Sequence, residues 1–132
     1  MSTTTHQAIT TADAPAPVGP YNQAVQAGEW LYCSGQIPLD PATGAMVGGG
    51  DVEAETRQVL RNLKAVLSAA GTEAAKVVRT TVYLVDLADF QAVNAIYAEM
   101  FGSGVSPARA CVQVAALPKG SKVEIDCIAW LG

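Results

Sequence analysis

An arginine, a cysteine and a glutamate near the C-terminal end are the residues of this chain best suited to chemistry. Arg109 and Cys111 lie two positions apart in one predicted strand, and Glu124 lies in the next. A planar guanidinium can bind a carboxylate through two parallel hydrogen bonds, and a carboxylate can orient a water molecule and accept its proton. Together these groups suit the binding of a small acid and the addition of water to it. The structural alternative is a cross-strand ion pair worth about 1 kcal/mol or less, and the pattern alone leaves both open.

The two strands that contain these residues show the alternation typical of a half-buried sheet. In residues 108–114 the even positions are apolar, and in residues 122–129 the odd positions are apolar. We expect the strands to pair directly through the Pro-Gly loop between them, with both apolar sets on one face, because a one-residue slip would put a charged row into the core. This register predicts that Arg109, Cys111 and Glu124 share the opposite face.

The cysteines and the histidine limit the chemistry further. The chain has three cysteines, Cys33, Cys111 and Cys127, all in predicted strands and without the paired spacing of a metal site. They are typical of reduced thiols in a cytoplasmic protein. The single histidine, His6, lies in a polar N-terminal segment, so neither a histidine-based triad nor a His-rich metal site is predicted. With no histidine to activate it, Cys111 is interpreted as the wall of a cleft rather than a nucleophile, and the other two cysteines as core residues.

Composition disfavours several classes of function. The 132 residues suit one domain; half are hydrophobic and only 15% are charged, which leaves little charge to cover a monomer's surface. We therefore expect burial between subunits. The net charge of −4 disfavours a phosphate-backbone partner, so no nucleic acid is expected. No apolar run approaches the ~18 residues of a membrane span, and no export signal is indicated. The triple glycine at 48–50 lacks the Lys and Ser/Thr of a phosphate loop and is interpreted as a flexible connector.

Five strands and two amphipathic helices are predicted. The strands span 22–27, 30–37, 76–85, 108–114 and 122–129, and the helices span 51–70 and 87–101. They form a single domain at 9–132, after a flexible leader at 1–8. Two such helices can cover one face of a mixed sheet, which predicts an α+β two-layer fold. On the second helix Asn94 is expected to face inward, where it either bonds to a loop or contacts a ligand.

The sheet face without helices is predicted to be aromatic and short of charge, and we expect it to meet another copy of the chain. Its expected members are Trp30, Tyr32, Ser34, Gln36, Arg79, Thr81, Tyr83, Arg109, Cys111, Gln113 and Glu124.

Five sequence blocks, in this order, resemble one known family. The blocks are GPYNQAV at 19–25, SGQIPLDPATG at 34–44, RQVLRNLKAVLSAAG at 57–71, TVYLVDLADFQAVNAIYAEMF at 81–101 and PARACVQVAALPKGSKVEIDCIA at 107–129. They resemble the reactive intermediate deaminase A family, also called the YjgF-type family, from residue 9 onward. The resemblance implies a chorismate-mutase-like α+β fold and a homotrimer with three clefts between adjacent subunits. It also implies hydrolysis of 2-imino acids, released by pyridoxal-phosphate dehydratases, to 2-oxo acids and ammonia without a cofactor or metal.

The same resemblance implies roles for individual residues. The family's carboxylate-binding arginine falls on Arg109, its cleft cysteine on Cys111 and its water-associated glutamate on Glu124. Its remaining site residues, a cleft tyrosine, a Ser-Gly backbone element and a helix asparagine, fall on Tyr21, Ser34, Gly35 and Asn94. Tyr21 could instead be a packed interface aromatic, and Ser34 a loop hydrogen-bonding residue. The chain departs from close relatives at Asn22, Gln113 and Ala116, which puts substrate preference in question.

Three functions are compatible with this pattern. The leading expectation is a 2-iminobutanoate/2-iminopropanoate deaminase of the cytoplasm. The second is a non-enzymatic protein that senses 2-oxo acids or binds a partner through the same cleft. The third is RNA cleavage, an activity of some family members, which the acidic charge and the lack of a site histidine disfavour.

Overall fold

The computed structural model describes residues 5–132. One six-stranded sheet has two helices packed on one of its faces, which confirms the predicted mixed α+β arrangement. The elements are β1 (His6–Ile9), β2 (Ala24–Ala27), β3 (Trp30–Gln36), α1 (Val52–Ala69), β4 (Val77–Leu84), α2 (Phe90–Phe101), β5 (Ala108–Gln113) and β6 (Val123–Trp130). Neither helix of this described part is long and apolar enough to cross a membrane.

Both helices and five of the six strands of the described chain form where the apolar periodicity predicts them. Helix α1 begins after Asp51, whose side chain accepts a hydrogen bond from the Glu53 N–H at 3.1 Å. Helix α2 begins three residues later than predicted, because a short 3₁₀ turn over Leu87–Asp89 precedes it. The apolar stripe of α1 packs on β3 and β6, and α2 packs against α1 in the same core; Val123, Ile125 and Ala129 of β6 are completely buried. This helix–sheet layer is the hydrophobic core.

The strand order is β1-β2-β3-β6-β4-β5, so the predicted direct pairing of the last two strands is wrong. Strand β4 lies between them and pairs with β5 in parallel and with β6 antiparallel. The cause is the β4–α2–β5 crossover, which places β5 beside β4 at the sheet edge. Strand β6 then takes the central position between β3 and β4, where its apolar side chains gain the most burial.

The observed register also moves the arginine to the other face of the sheet. Arg109 lies opposite Thr80, and Cys111 lies opposite Val82, whose side chains are buried beneath the helices. Glu124 lies opposite Tyr83, on the face without helices. The prediction that Arg109, Cys111 and Glu124 share one face is therefore wrong. Strand β4 sets the facing of both strands: Arg109 is in register with Thr80 and Glu124 with Tyr83, and these two β4 residues point to opposite faces.

Two glutamines also leave the predicted open face. Gln113 lies opposite the buried Leu84 on the helix side, and Gln36 is 6% exposed because a bulge between Cys33 and Gln36 turns it toward the core. The open face exposes several large apolar side chains instead. They are Trp30, Tyr32, Val112 and Trp130, each between 41% and 48% exposed.

The N-terminal boundary also differs from the prediction. Residues His6–Ile9 form β1, which pairs with β2 from His6↔Ala27 to Ile9↔Ala24, so the folded domain includes residues before the predicted start at 9. Three of these four side chains are exposed. The strand is held by backbone pairing rather than by burial, and no apolar pattern could reveal it. The part of the leader prediction that concerns residues 1–4 lies outside the described residues.

The triple glycine has a packing role as well as a connecting one. All three glycines have positive φ, with 106° at Gly48, 58° at Gly49 and 89° at Gly50. A Cβ at Gly48 would lie 2.9 Å from Glu55 Cγ and 3.1 Å from its backbone nitrogen. The Glu55 carboxylate is 1% exposed and accepts a hydrogen bond from the Lys122 N–H at 2.8 Å. Gly48 thus gives space to a buried carboxylate that ties α1 to the loop before β6.

We predict that Gly48→Ala destabilises the protein by about 2 kcal/mol, because the new methyl group meets Glu55 and the backbone is strained. Gly49→Ala is the matched control. It has a positive φ but open space around the added carbon, so a loss of about 1 kcal/mol is expected. Urea denaturation measures both. Equal losses in the two variants would show that the contact with Glu55 contributes nothing.

Candidate active site

Arg109 is held on the helix side of the sheet edge by three residues of α2. Its Nη1 donates a hydrogen bond to Asn94 Oδ1 at 2.7 Å, and its Cζ lies 4.8 Å from the Tyr97 ring centroid and 5.5 Å from that of Phe90. Positions 90, 94 and 97 follow one another along a single helix face. The asparagine thus faces inward as expected, but its partner is the guanidinium rather than a loop.

This guanidinium is exposed and has no carboxylate partner in the described chain. The ion pair found among residues 5–132 joins Arg57 to Glu99 on the helix surface. A cross-strand pair between Arg109 and Glu124 is ruled out by their positions on opposite faces. Because a guanidinium has five N–H donors, several remain free to bind an anion. A recess of about 430 Å³ lies beside it, lined by Asn94, Tyr97, Ala98, Phe101, Gly102, Ser106 and Pro107.

Cys111 lies two residues from Arg109 on the same face of β5 and is half-buried. Burial raises the pKa of its thiol above the ordinary value, and the positive charge of Arg109 opposes that rise only in part. A raised pKa favours the neutral thiol over the nucleophilic thiolate. The geometry and the protonation state therefore both favour a wall over a nucleophile.

A second group of predicted residues meets at a cavity of about 380 Å³ on the other side of β4. Tyr21, Ser34, Gly35 and Glu124 all line it. The other lining residues are mostly apolar and come from the N-terminal segment, the end of β3 and the loop before β6. They are Pro15, Ala16, Val18, Gln23, Gln36, Ile37, Leu39, Pro118 and Lys119.

Glu124 lies against Gly35, and no other residue type fits there without displacing it. A Cβ built at Gly35 would overlap Glu124 Oε2 and lie 2.8 Å from Cδ. Burial raises the pKa of the Glu124 carboxyl, and the negative charge of Asp126 raises it further. Asp126 itself accepts a hydrogen bond from the Tyr83 hydroxyl at 3.0 Å. A carboxylate with a raised pKa is a stronger proton acceptor than an ordinary one.

Tyr21 and Ser34 contribute differently to this cavity. The Tyr21 side chain is 49% exposed, and its hydroxyl accepts a long hydrogen bond of 3.4 Å from the Val18 N–H, which leaves it available to a ligand. The Ser34 hydroxyl donates to the Asn22 carbonyl at 2.6 Å. This bond is the loop contact considered as the alternative role for Ser34.

Gln23 is a cavity residue that sequence reasoning missed. It is 3% exposed, and its amide nitrogen donates to the carbonyls of Thr11, Ala14 and Pro15 at 2.9 to 3.1 Å. Its amide oxygen accepts from the Thr11 N–H at 2.7 Å. These bonds fold the N-terminal segment over the cavity. The signal that could have revealed Gln23 is a polar residue directly before the apolar strand β2.

The predicted site residues thus form two half-sites in one chain. The first contains Arg109, Cys111 and Asn94 and can bind an anion. The second contains Glu124, Gly35 and the residues around them, and can accept a proton. They lie on opposite faces of the sheet, so they cannot both contact one small molecule within one copy. Within residues 5–132, no group of three or more His, Cys, Asp and Glu side chains could hold a metal ion.

The fold and the half-sites define a two-layer α+β protein with means to bind an anion and to move a proton. Over residues 11–131 the chain matches the family described as Endoribonuclease L-PSP. The chain belongs to this family, which is the reactive intermediate deaminase A or YjgF-type family that its motifs resemble, so the predicted membership is confirmed.

Several proteins are similar to this chain over nearly its whole length. A RutC family protein of Synechocystis is 56% identical over 127 residues, which are 96% of this chain and 98% of that protein. The 2-iminobutanoate/2-iminopropanoate deaminase of Mus musculus is 52% identical over 132 residues, which are 100% of this chain and 96% of that protein. The crystal structure of E. coli TdcF with bound serine matches with a TM-score of 0.88 at 41% identity, covering 94% of this chain and 98% of that one.

We predict that Asp126→Asn lowers the pKa of Glu124, because it removes a neighbouring negative charge that holds that pKa up. Part of the elevation is expected to remain, since burial is its larger cause. Following the chemical shift of the Glu124 carboxyl carbon against pH by NMR measures the pKa of Glu124 in the wild type and in Asp126→Asn. The Glu73→Gln variant, which neutralises an exposed carboxylate that does not line this cavity, controls for net charge, and an equal drop in it would contradict the local origin of the effect.

Proposed function

We propose that this protein is a 2-iminobutanoate/2-iminopropanoate deaminase, which hydrolyses reactive imine intermediates to 2-oxo acids and ammonia. The observation that carries the proposal is the exposed Arg109 guanidinium, which is positioned by Asn94 and lacks a carboxylate partner in the described chain. A 2-imino acid supplies the missing carboxylate. Four mammalian relatives that are 49% to 52% identical over the full chain are named for this activity.

We further propose that the active sites form between copies in a homotrimer. Arg109 and Glu124 lie on opposite faces of one sheet, so both can contact a four-carbon substrate only if two copies contribute. The exposed aromatic side chains of the open face provide an apolar surface for the contact. In this arrangement one copy supplies Arg109, Cys111 and Asn94, and its neighbour supplies Tyr21, Ser34, Gly35 and Glu124.

The proposed reaction begins with binding of the substrate carboxylate by Arg109, which fixes the position of the adjacent C=N carbon. Glu124 orients a water molecule and takes its proton as the water oxygen bonds to that carbon. The nitrogen becomes an amine, and Glu124 returns the proton to it. Glu124 then takes the proton of the new hydroxyl group and passes it to the amine as the C–N bond breaks, so ammonia leaves and the C=O bond of the 2-oxo acid forms. Water and imine are consumed one to one, and Glu124 ends as it began.

The remaining cavity residues suit the substrate side chain. Val18, Ile37 and Leu39 provide an apolar wall, and the Tyr21 ring adds another. An alkyl chain transfers favourably into such a surface. Cys111 lines the site beside the substrate carboxylate with a small side chain, and its raised pKa keeps the thiol neutral. General base catalysis of this kind contributes about 10²–10⁴-fold, which suffices for an imine that also hydrolyses unaided.

A second candidate function is binding without turnover. The E. coli relative was crystallised with serine, which has a carboxylate but no imine to hydrolyse. The same Arg109 half-site could hold a 2-oxo acid as a signal. Binding of 2-oxobutanoate without acceleration of imine hydrolysis over buffer would favour this candidate.

We predict that Arg109→Ala and Glu124→Gln each abolish most of the acceleration of imine hydrolysis. Trimers that contain subunits of both variants are expected to regain part of it. In randomly mixed trimers, a cleft between an Arg109-intact and a Glu124-intact copy occurs in about one quarter of cases. Co-expressed variants are therefore expected to recover about a quarter of wild-type activity. The assay follows 2-oxobutanoate and ammonia released from 2-iminobutanoate generated in situ.

The control for this experiment is Arg57→Ala, which removes a cation from the helix surface and should leave activity unchanged. If the two variants are purified separately and mixed under conditions in which trimers do not exchange subunits, the mixture should stay inactive. Mixed oligomers without recovered activity would contradict the shared site, and a fully active Arg109→Ala variant would contradict the assigned anchor.

We also predict that Gly35→Ala lowers activity about tenfold to hundredfold, because the methyl group displaces the Glu124 carboxylate from its position. Its φ is not in the left-handed region, so the stability loss should be below about 1 kcal/mol. The double variant Gly35→Ala/Glu124→Asp shortens the displaced side chain and is expected to recover part of the activity relative to Gly35→Ala. If the effects of the two substitutions on the activation free energy simply add in the double variant, the contact between Gly35 and Glu124 does not explain the loss.

A further inference from the structure

Lys119 has an unusual backbone conformation beside the Glu124 cavity. Its φ of 57° and ψ of 23° lie in the left-handed region. Among residues 5–132, Lys119 is the only residue other than glycine with a positive φ. In this region the Cβ of an L-residue crowds the backbone, so glycine and asparagine are favoured. A lysine here has a conformational cost that a glycine would avoid.

Buried partners hold the loop that contains Lys119. The Pro118 carbonyl accepts two hydrogen bonds from Ser121, at 3.1 Å from its N–H and 2.9 Å from its hydroxyl. The Lys122 N–H donates to the buried Glu55 carboxylate at 2.8 Å. Ser121 and Glu55 are each 1% exposed. The surrounding structure therefore imposes the left-handed conformation while Lys119 itself stays at the surface.

Lys119 also has a distinct electrostatic position. Among the described residues that line the 380 Å³ cavity, Lys119 has the only positively charged side chain and Glu124 the only negatively charged one. The Asp126 carboxylate acts on Glu124 from nearby, and the chain has a net charge of −4. An anionic substrate that approaches this wall is repelled by both carboxylates. Within residues 5–132 the Lys119 ammonium is in no ion pair, so its charge is not neutralised.

We propose that Lys119 attracts anionic substrates to the Glu124 cavity and strengthens their binding without taking part in proton transfer. The inference rests on the proposed function for the identity of the substrate. An ammonium at the rim offsets the repulsion from Glu124 and Asp126, and its field extends about 10 Å at 0.1 M salt. The charge of the lysine then explains why this position, whose conformation favours glycine, is occupied by a lysine in this chain.

The test measures binding of 2-oxobutanoate, the stable product anion, by titration calorimetry at about 0.02 M and about 0.5 M NaCl. Lys119→Gln is expected to weaken binding about fivefold at low salt and to have little effect at high salt. Lys119→Arg keeps the charge and should bind like the wild type. Lys64→Gln makes the same charge change on the outer surface of α1 and should have no effect. Wild-type affinity of Lys119→Gln at low salt, or equal weakening by Lys119→Arg, would overturn the proposal.

Lys119→Gly separates charge from conformation. It is expected to bind as weakly as Lys119→Gln but to unfold at a higher temperature than Lys119→Gln, because the strain at this position is relieved. An unfolding temperature at or below that of Lys119→Gln would overturn the claim that a lysine at this position has a backbone cost.

Turnover measurements distinguish this proposal from the proposed deaminase. If the wild type does not accelerate imine hydrolysis, the deaminase proposal fails, while the salt-dependent binding comparison still decides the role of Lys119. If the wild type is active, Lys119→Gln is expected to raise KM about fivefold with kcat unchanged. A fall in kcat with KM unchanged would assign Lys119 to the chemical step and refute its role in attraction.

Discussion

The central position of β6 is the constraint on which the rest of the structure depends. Its alternate residues are buried in the core between the sheet and the helices, and β3 and β4 pair with its two edges. Once β6 lies between them, β5 can pair only with the free edge of β4. The phase of each strand then decides which face each side chain occupies. Glu124 lies on the open face because its neighbours in β6 are core residues, and Arg109 lies on the helix face because it is in register with Thr80.

The exposed edge explains how an arginine can stay free of a carboxylate. At a buried position an unpaired guanidinium would cost several kcal/mol of stability unless a carboxylate paired with it. On the edge strand, water solvates part of the group, while the Asn94 oxygen and the faces of Tyr97 and Phe90 fix its orientation. These contacts orient the cation without neutralising it. An anion that binds here therefore meets a preoriented donor set, which lowers the entropic cost of binding.

The sequence allowed the elements to be predicted closely but not their neighbours. Hydrophobic periodicity located both helices and five strands to within about three residues, which is the usual precision of element boundaries. It could not show that β4 separates β5 from β6, because alternation reports the two faces of a strand and not its partner. Arg109 was placed on the wrong face because the apolar residues of β5, Ala110 and Val112, were assigned to the core, whereas they lie opposite Thr81 and Tyr83 on the face without helices. Gln23, Glu55 and Lys119 were missed for another reason: a buried polar contact or a left-handed backbone exists only in three dimensions.

Two glutamates in this chain show how similar packing leads to different chemistry. Both lie against a glycine that a methyl group would crowd, Glu55 against Gly48 and Glu124 against Gly35. Glu55 is fully buried, and the Lys122 N–H satisfies it, which gives it a structural role. Glu124 faces a cavity, has a raised pKa and accepts no protein hydrogen bond within residues 5–132. A carboxylate without a protein donor, at the edge of a space large enough for water and a small acid, is free to exchange a proton. The two residues therefore differ in two respects, their exposure and the presence of a protein donor, although each lies against a glycine.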